Sequence, residues 1–285
     1  MSRTLSRRIL TIVWSGVVAL LIGAVSSGIW GGLLLSNIAI SPAIPWSVPV
    51  MAVVLTLMWL YLGGRWWPRA NAAERRALLR ARPVSPRIFA WSLIAGGLSL
   101  VALAGIWIVL VQATRVGGNP TQSSFASIPL LSVVLMLIMA SLVSPLTEEA
   151  AFRGYCQVML EREFPAIVAI SLSSAFFALW HGPTQGFQWS KLLFYLLVGI
   201  AFGTIAYLTR STLPAIPVHI AGDLTFFFLI WPHDATRPFI WRDGAGLSFW
   251  LAVVQAVLFT ALTILAFRQL AHSARAAVGK EQPAF

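Results

Sequence analysis

Six side chains in this sequence have the types and spacing to do chemistry. Glu148, Glu149 and Arg153 lie in Thr147-Glu148-Glu149-Ala150-Ala151-Phe152-Arg153-Gly154, His181 follows at the end of an apolar run, and His219 and Asp223 share another. The run before the two glutamates, residues 128–146, carries no charge. A charged group at the centre of a membrane helix costs about 2.5–3.5 kcal/mol even on insertion scales, so such groups mark function by default. On a helix, Glu149 and Arg153 are i and i+4 and face one another, which reads first as a structural ion pair. Glu148 is rotated about 100° from Glu149 and needs another partner or a task. His219 and Asp223 are also i and i+4, so Asp223 can accept from one imidazole nitrogen and fix the tautomer of the other. A carboxylate, two imidazoles and a second carboxylate can activate water, with Glu148 as general base and a histidine orienting the molecule. Equally, Glu148, His181 and His219 could hold zinc with an open fourth position, Glu149 or Asp223 then supporting it. The chain has no H-E-x-x-H, and both chemistries stay open.

The elements that must position these groups are membrane helices. Of 285 residues, 58% are hydrophobic and only 10% charged, and mean hydropathy is +0.82. Soluble domains carry roughly 25% charge, so the composition gives an all-α, polytopic membrane protein. A formal charge of +11 would suggest nucleic acid in a soluble chain, but arginines between apolar spans are the expected orientation signal. Nucleic acid is therefore not an expected partner; the bilayer is. The lone cysteine, Cys156, excludes an internal disulfide and a C-x-x-C metal site.

About eight spans can be read around an intramembrane polar cavity: residues 9–38, 50–63, 88–113, 128–163, a fifth opened by Pro165, 191–208, 213–231 and 246–267. The first run is too long for a signal-peptide core and reads as a span. Pro145 is expected to kink the fourth helix just before the glutamates. A Pro-rich turn (41–49) and a polar loop (117–127) separate spans. Residues 64–87 form a basic loop with seven arginines against Glu74 alone, and 71–79 reads as a short interfacial helix suited to anionic lipid. With both termini cytoplasmic, only Arg115, Lys191, Arg237 and Arg242 of twenty basic residues face outward. Tryptophans near span ends, including Trp66, Trp67, Trp180, Trp231 and Trp241, read as an interfacial belt. No internal repeat is visible, and residues 1–285 read as one membrane domain with a catalytic core over 128–231.

Register brings the polar groups together. The fourth and fifth helices turn near Phe164-Pro165; Glu148 is 16 residues before Phe164 and His181 is 17 after it. In an antiparallel hairpin these positions share one height. His219 lies about six residues into the seventh span, roughly 9 Å below the boundary at 1.5 Å per residue. Phe177, one turn before His181, reads as core.

Glu148-Glu149-x-x-x-Arg153, Phe177-x-x-x-His181 and His219-x-x-x-Asp223, in this order on separate helices, resemble the motifs of the CPBP intramembrane proteases, the family of the CAAX prenyl endopeptidases and the bacterial Abi proteins. The resemblance covers residues 133–231. It implies peptide-bond hydrolysis in a membrane cavity, with water activated by Glu148 and His181 while His219 and residue 223 bind or polarise the scissile carbonyl. Zinc is an implied alternative. The expected partner is then a membrane-associated peptide or protein, and the expected location a bacterial inner membrane. One departure stands out: the family often has Asn where this chain has Asp223, and an ionised Asp cannot donate to an oxyanion. Two other readings are kept. A catalytically inactive scaffold or immunity-type protein would retain the fold, and intramembrane Glu, His and Asp also build proton relays in transporters, although those folds usually show internal repeats.

Overall fold

A computed structural model of the chain describes residues 3–116 and 128–281; the polar loop expected at 117–127 lies outside the described residues. Helix α1 spans Arg3–Ile40, α2 Ser47–Leu62, α3 Ala72–Leu78 and α4 Pro86–Thr114. After the gap come α5 (Leu130–Glu148), a π-helical segment (Glu149–Cys156) and α6 (Gln157–Glu161), one continuous rod. Helices α7 (Ala166–Gln185), α8 (Trp189–Thr209) and α9 (Ala215–Thr225) follow; α9 runs on through a π segment, Phe226–Ile230, and a 3-10 turn, Trp231–Thr236. A short α10 (Ile240–Asp243) leads into α11 (Leu247–Glu281).

Among the described residues, seven helices are long and apolar enough to cross a membrane. The eighth expected span, α2, has 16 residues, about 24 Å at 1.5 Å per residue against a hydrocarbon core of about 30 Å. It is shorter because the turn before it consumes chain. Asn37, fully buried, donates to the carbonyls of Ser41 and Ile44 and accepts from the Ser47 amide. That side chain closes the expected Pro-rich turn and fixes where α2 begins.

Consecutive long helices run antiparallel, as their end contacts require. At one end, Arg7 pairs with Glu163, Glu161 receives Arg80 and Arg210, and Ser211 and Thr212 donate to the backbone of residues 79–82. At the other, Ser132 donates to the Ala43 carbonyl, Trp107 to Asp234 and Trp241 to the Ala113 carbonyl. The arginines therefore collect at the first end, which also carries the basic loop. Within that loop the expected short helix is present as α3, but its Arg75 is buried and donates to the carbonyls of Tyr61, Trp66 and Pro68. This arginine ties the loop together rather than facing lipid.

Small residues set the helix crossings, as in other membrane bundles. A Cβ on Gly105 of α4 would lie 2.8 Å from the backbone of α11 at Ala252 and Ala256. One on Gly154 of the π segment would lie 3.0 Å from the Leu79 backbone. The main apolar core joins Phe152, Phe177, Phe194, Phe202 and Trp107. Trp231, expected in an interfacial belt, belongs to this core instead, 8% exposed and packed on Trp107 at 6.3 Å. Trp67 and Trp241, by contrast, are 80% and 76% exposed.

Candidate functional site

The acidic motif sits where the α5 rod changes its winding. Pro145 lies inside α5, whose α-helical pattern continues to Glu148. The irregularity comes instead at Glu149, where i→i+5 bonding begins and lasts to Cys156. Such π turns are rare and gather at functional sites because an inserted residue re-aims the side chains around it. The second π segment begins at Phe226, three residues after Asp223. Both acidic positions thus border a change of helical pitch.

The antiparallel register of the hairpin brings Glu148 and His181 to one level. Phe152 and Phe177 meet edge-to-face at 5.4 Å, and Ser173 donates to the Phe152 carbonyl at 2.7 Å. One turn further from the hairpin's tip on each helix come Glu148 and His181. The charge of Glu148 acts on the His181 ring, as do those of His219 and Arg153.

Each group is held from behind. Ser144, one turn before Glu148, donates to its Oε1 at 2.6 Å. Arg153 Nη1 is 2.9 Å from Glu149 Oε1, an ion pair set off the hydrogen-bonding direction, and the guanidinium lies 4.0 Å over the Phe177 ring. His219 donates from Nδ1 to the same Glu149 oxygen at 2.9 Å. The i+4 neighbour expected to orient this imidazole does not do so. Asp223 Oδ1 is 3.7 Å from Nε2, beyond hydrogen-bond range. Glu149 reaches Nδ1 from the neighbouring helix and takes that place. His181 donates from Nδ1 to the Phe177 carbonyl at 2.9 Å and is stacked face to face on Tyr195, with centroids 3.8 Å apart and planes at 16°. Phe177 is core, as expected, and also a brace: its ring touches His181 at 4.6 Å and His219 at 6.0 Å.

Because both Nδ1 atoms donate, both Nε2 atoms are left to face the reaction space. His219 Nε2 stands 3.7 Å from Glu148 Oε2 and 3.7 Å from Asp223 Oδ1. Burial is graded across the group. Glu149 and Arg153 are 0% and 1% exposed, Glu148 and His219 5% and 4%, while His181 and Asp223 are half-buried. The centre therefore opens past Asp223 and His181. All six expected residues come into one neighbourhood. Ser144 and Tyr195 also belong to it and were not anticipated. Ser144 could have been found as the hydroxyl one turn before Glu148, whereas Tyr195 gave no sequence signal.

The donor set suits a metal in part. The two free Nε2 atoms and Glu148 are chemically capable ligands. Yet among the described residues no three His, Cys, Asp or Glu side chains converge closely enough to hold an ion, and Glu148 Oε1 is engaged by Ser144.

The helices and side chains just described coincide with a family match. Residues 130–225, from the start of α5 to the end of α9, match the family described as type II CAAX prenyl endopeptidase Rce1-like. Neither a curated protein nor a solved structure matches the chain. The matched segment, 96 of the 285 residues, contains Glu148, Glu149, Arg153, His181, His219 and Asp223, and it supports a place for the chain among the CPBP membrane proteases whose motifs it resembles.

Proposed function

We propose that this protein is an intramembrane endopeptidase in which Glu148 activates water against a peptide bond of a membrane-associated peptide or protein. One observation carries the reading: His219 Nε2 stands 3.7 Å from both Glu148 Oε2 and Asp223 Oδ1, with His181 on the opposite helix. Gaps of this size suit a bridging water better than direct bonds. Ser144 holds the other Glu148 oxygen, so Oε2 is the one turned to the reaction. The water oxygen attacks the scissile carbonyl carbon and its proton passes to Oε2 of Glu148. His181, its ring fixed by Phe177 and Tyr195, accepts from the same water at Nε2 and orients it. His219, protonated at Nε2 and held by Glu149 at Nδ1, donates to the carbonyl oxygen as charge develops there. On collapse the C–N bond breaks and Glu148 returns its proton to the leaving nitrogen, giving a new carboxylate and a new amino terminus.

Arg153 has a supporting role in this scheme. It neutralises Glu149, so that Glu149 can orient His219 without adding a second free carboxylate beside Glu148. The matched family supports a substrate ending in a prenylated cysteine motif.

The test compares protein N-termini in cells carrying the wild type and Glu148→Gln, both confirmed as inserted and folded. Termini found only with the wild type are expected, and they name the substrate. Identical sets would sink the hydrolytic reading and favour a scaffold. Metal analysis of the purified active protein is expected to find less than one tightly held zinc per chain; stoichiometric zinc required for cleavage would replace the water-and-glutamate scheme.

A further inference from the structure

The proposed hydrolysis leaves one demand unmet. A tetrahedral intermediate places negative charge on the carbonyl oxygen, usually stabilised by two donors. His219 supplies one. Asp223, facing the same space, offers only acceptor oxygens when ionised. Arg153 is held at Glu149 and is 1% exposed, and the Ser144 hydroxyl already donates to Glu148.

Tyr195 on α8 is the remaining donor. Its ring lies flat on His181 at 3.8 Å, which places the residue at the edge of the centre. Phe177 and Phe194 flank that ring at 6.3 and 5.5 Å and fix its plane. The phenol group feels the charges of Asp223 and Glu148, the two carboxylates that stand 3.7 Å from His219 Nε2. The side chain as a whole is 7% exposed. Among the described residues its oxygen takes part in no hydrogen bond. An amphipathic ring with a fixed plane and an uncommitted O–H can act as an oxyanion donor at little entropic cost.

We infer that Tyr195 is a further catalytic residue, its phenol O–H donating to the oxyanion beside His219 and supplying the donor that Asp223 cannot. This rests on the hydrolytic reading given above. It also separates two jobs of one side chain: the ring positions His181 and the hydroxyl acts on the substrate.

The experiment follows the rate at which new N-termini appear after induction in cells carrying wild type, Glu148→Gln, Tyr195→Phe, Asp223→Asn and the double variant Tyr195→Phe/Asp223→Asn. Melting temperatures of the purified proteins are measured alongside. Tyr195→Phe keeps the stacked ring, so its melting temperature should match the wild type while the rate falls at least about 100-fold, the usual loss for one oxyanion donor. Asn at 223 brings an N–H into the same space, so the double variant should recover at least about tenfold over Tyr195→Phe. Tyr195→Phe at the wild-type rate, with Glu148→Gln silent, overturns the donor role and leaves the hydrolytic reading standing. A slow Tyr195→Phe that the second substitution fails to rescue also overturns it. Wild type indistinguishable from Glu148→Gln removes the hydrolytic reading and this inference with it.

Discussion

Two acidic clusters in this bundle are built from similar parts and behave differently. At the arginine-rich end, Glu161 is nearly buried and every oxygen is answered. Arg80 donates to both, Gln157 to Oε1 at 2.9 Å and Arg210 to Oε2 at 3.2 Å. In the middle of the bundle, buried polar atoms are left without partners. Glu149 Oε2 and both terminal nitrogens of Arg153 are buried without a hydrogen-bond partner among the described residues, and His219 Nε2 stands 3.7 Å from a carboxylate oxygen of Glu148 and 3.7 Å from one of Asp223. A satisfied carboxylate fixes helices in place. A set of converging, unsatisfied polar groups is a place for a proton to move. The difference separates architecture from chemistry more sharply than burial does, because the Glu161 side chain, 10% exposed, is nearly as withdrawn from solvent as that of Glu148 at 6%.

The largest expected effect follows from the central cluster. Glu148→Gln should lower cleavage by about 10²–10⁴-fold, the usual worth of a general base, while the melting temperature in detergent holds or rises, since an isosteric amide removes charge from a buried site. A variant that loses activity only because it melts would move Glu148 to the architectural side. Arg153→Ala tests the boundary between the two kinds. It strands Glu149 at 0% exposure and should cost about 3–5 kcal/mol of stability by denaturant unfolding, with activity lost through folding as well as through a misplaced His219. Glu161→Ala should cost about 3 kcal/mol, because Arg80 and Gln157 lose their acceptor, yet cleavage per folded molecule should stay within about twofold. A chemical defect in stable Glu161→Ala protein would erase the contrast. The smallest effect is expected at Arg7, which pairs with Glu163 but is 73% exposed. Arg7→Ala should shift stability by less than about 1 kcal/mol, and added salt should abolish the difference.

Local periodicity made part of the site legible. The i, i+4 spacing paired Glu149 with Arg153, and the hairpin register set Glu148 level with His181; both follow from rise and pitch along neighbouring helices. The same rule misassigned His219. It offered Asp223 on its own helix, but the orienting hydrogen bond comes from Glu149 across the helix interface. Spacing ranks neighbours within one helix and is blind to which carboxylate the crossing angle brings nearer. The pitch changes escaped too. Proline marked a break at 145, while the π segment begins four residues later, at Glu149, and closes on the Leu79 backbone at Gly154.

From composition and hydropathy alone, the sequence determined that this chain is a bundle of membrane helices, which groups in it were too costly to be incidental, and which three helices carry them. These are properties of transfer from water and of helical period, and they need no tertiary contacts. Only the folded structure decided that Glu149 rather than Asp223 holds His219, that Ser144 commits one oxygen of Glu148, and that Tyr195 lies against His181. Those outcomes depend on rotations of packed helices by fractions of a turn, set by small residues, π turns and aromatic contacts distributed over the bundle, and no single segment encodes them.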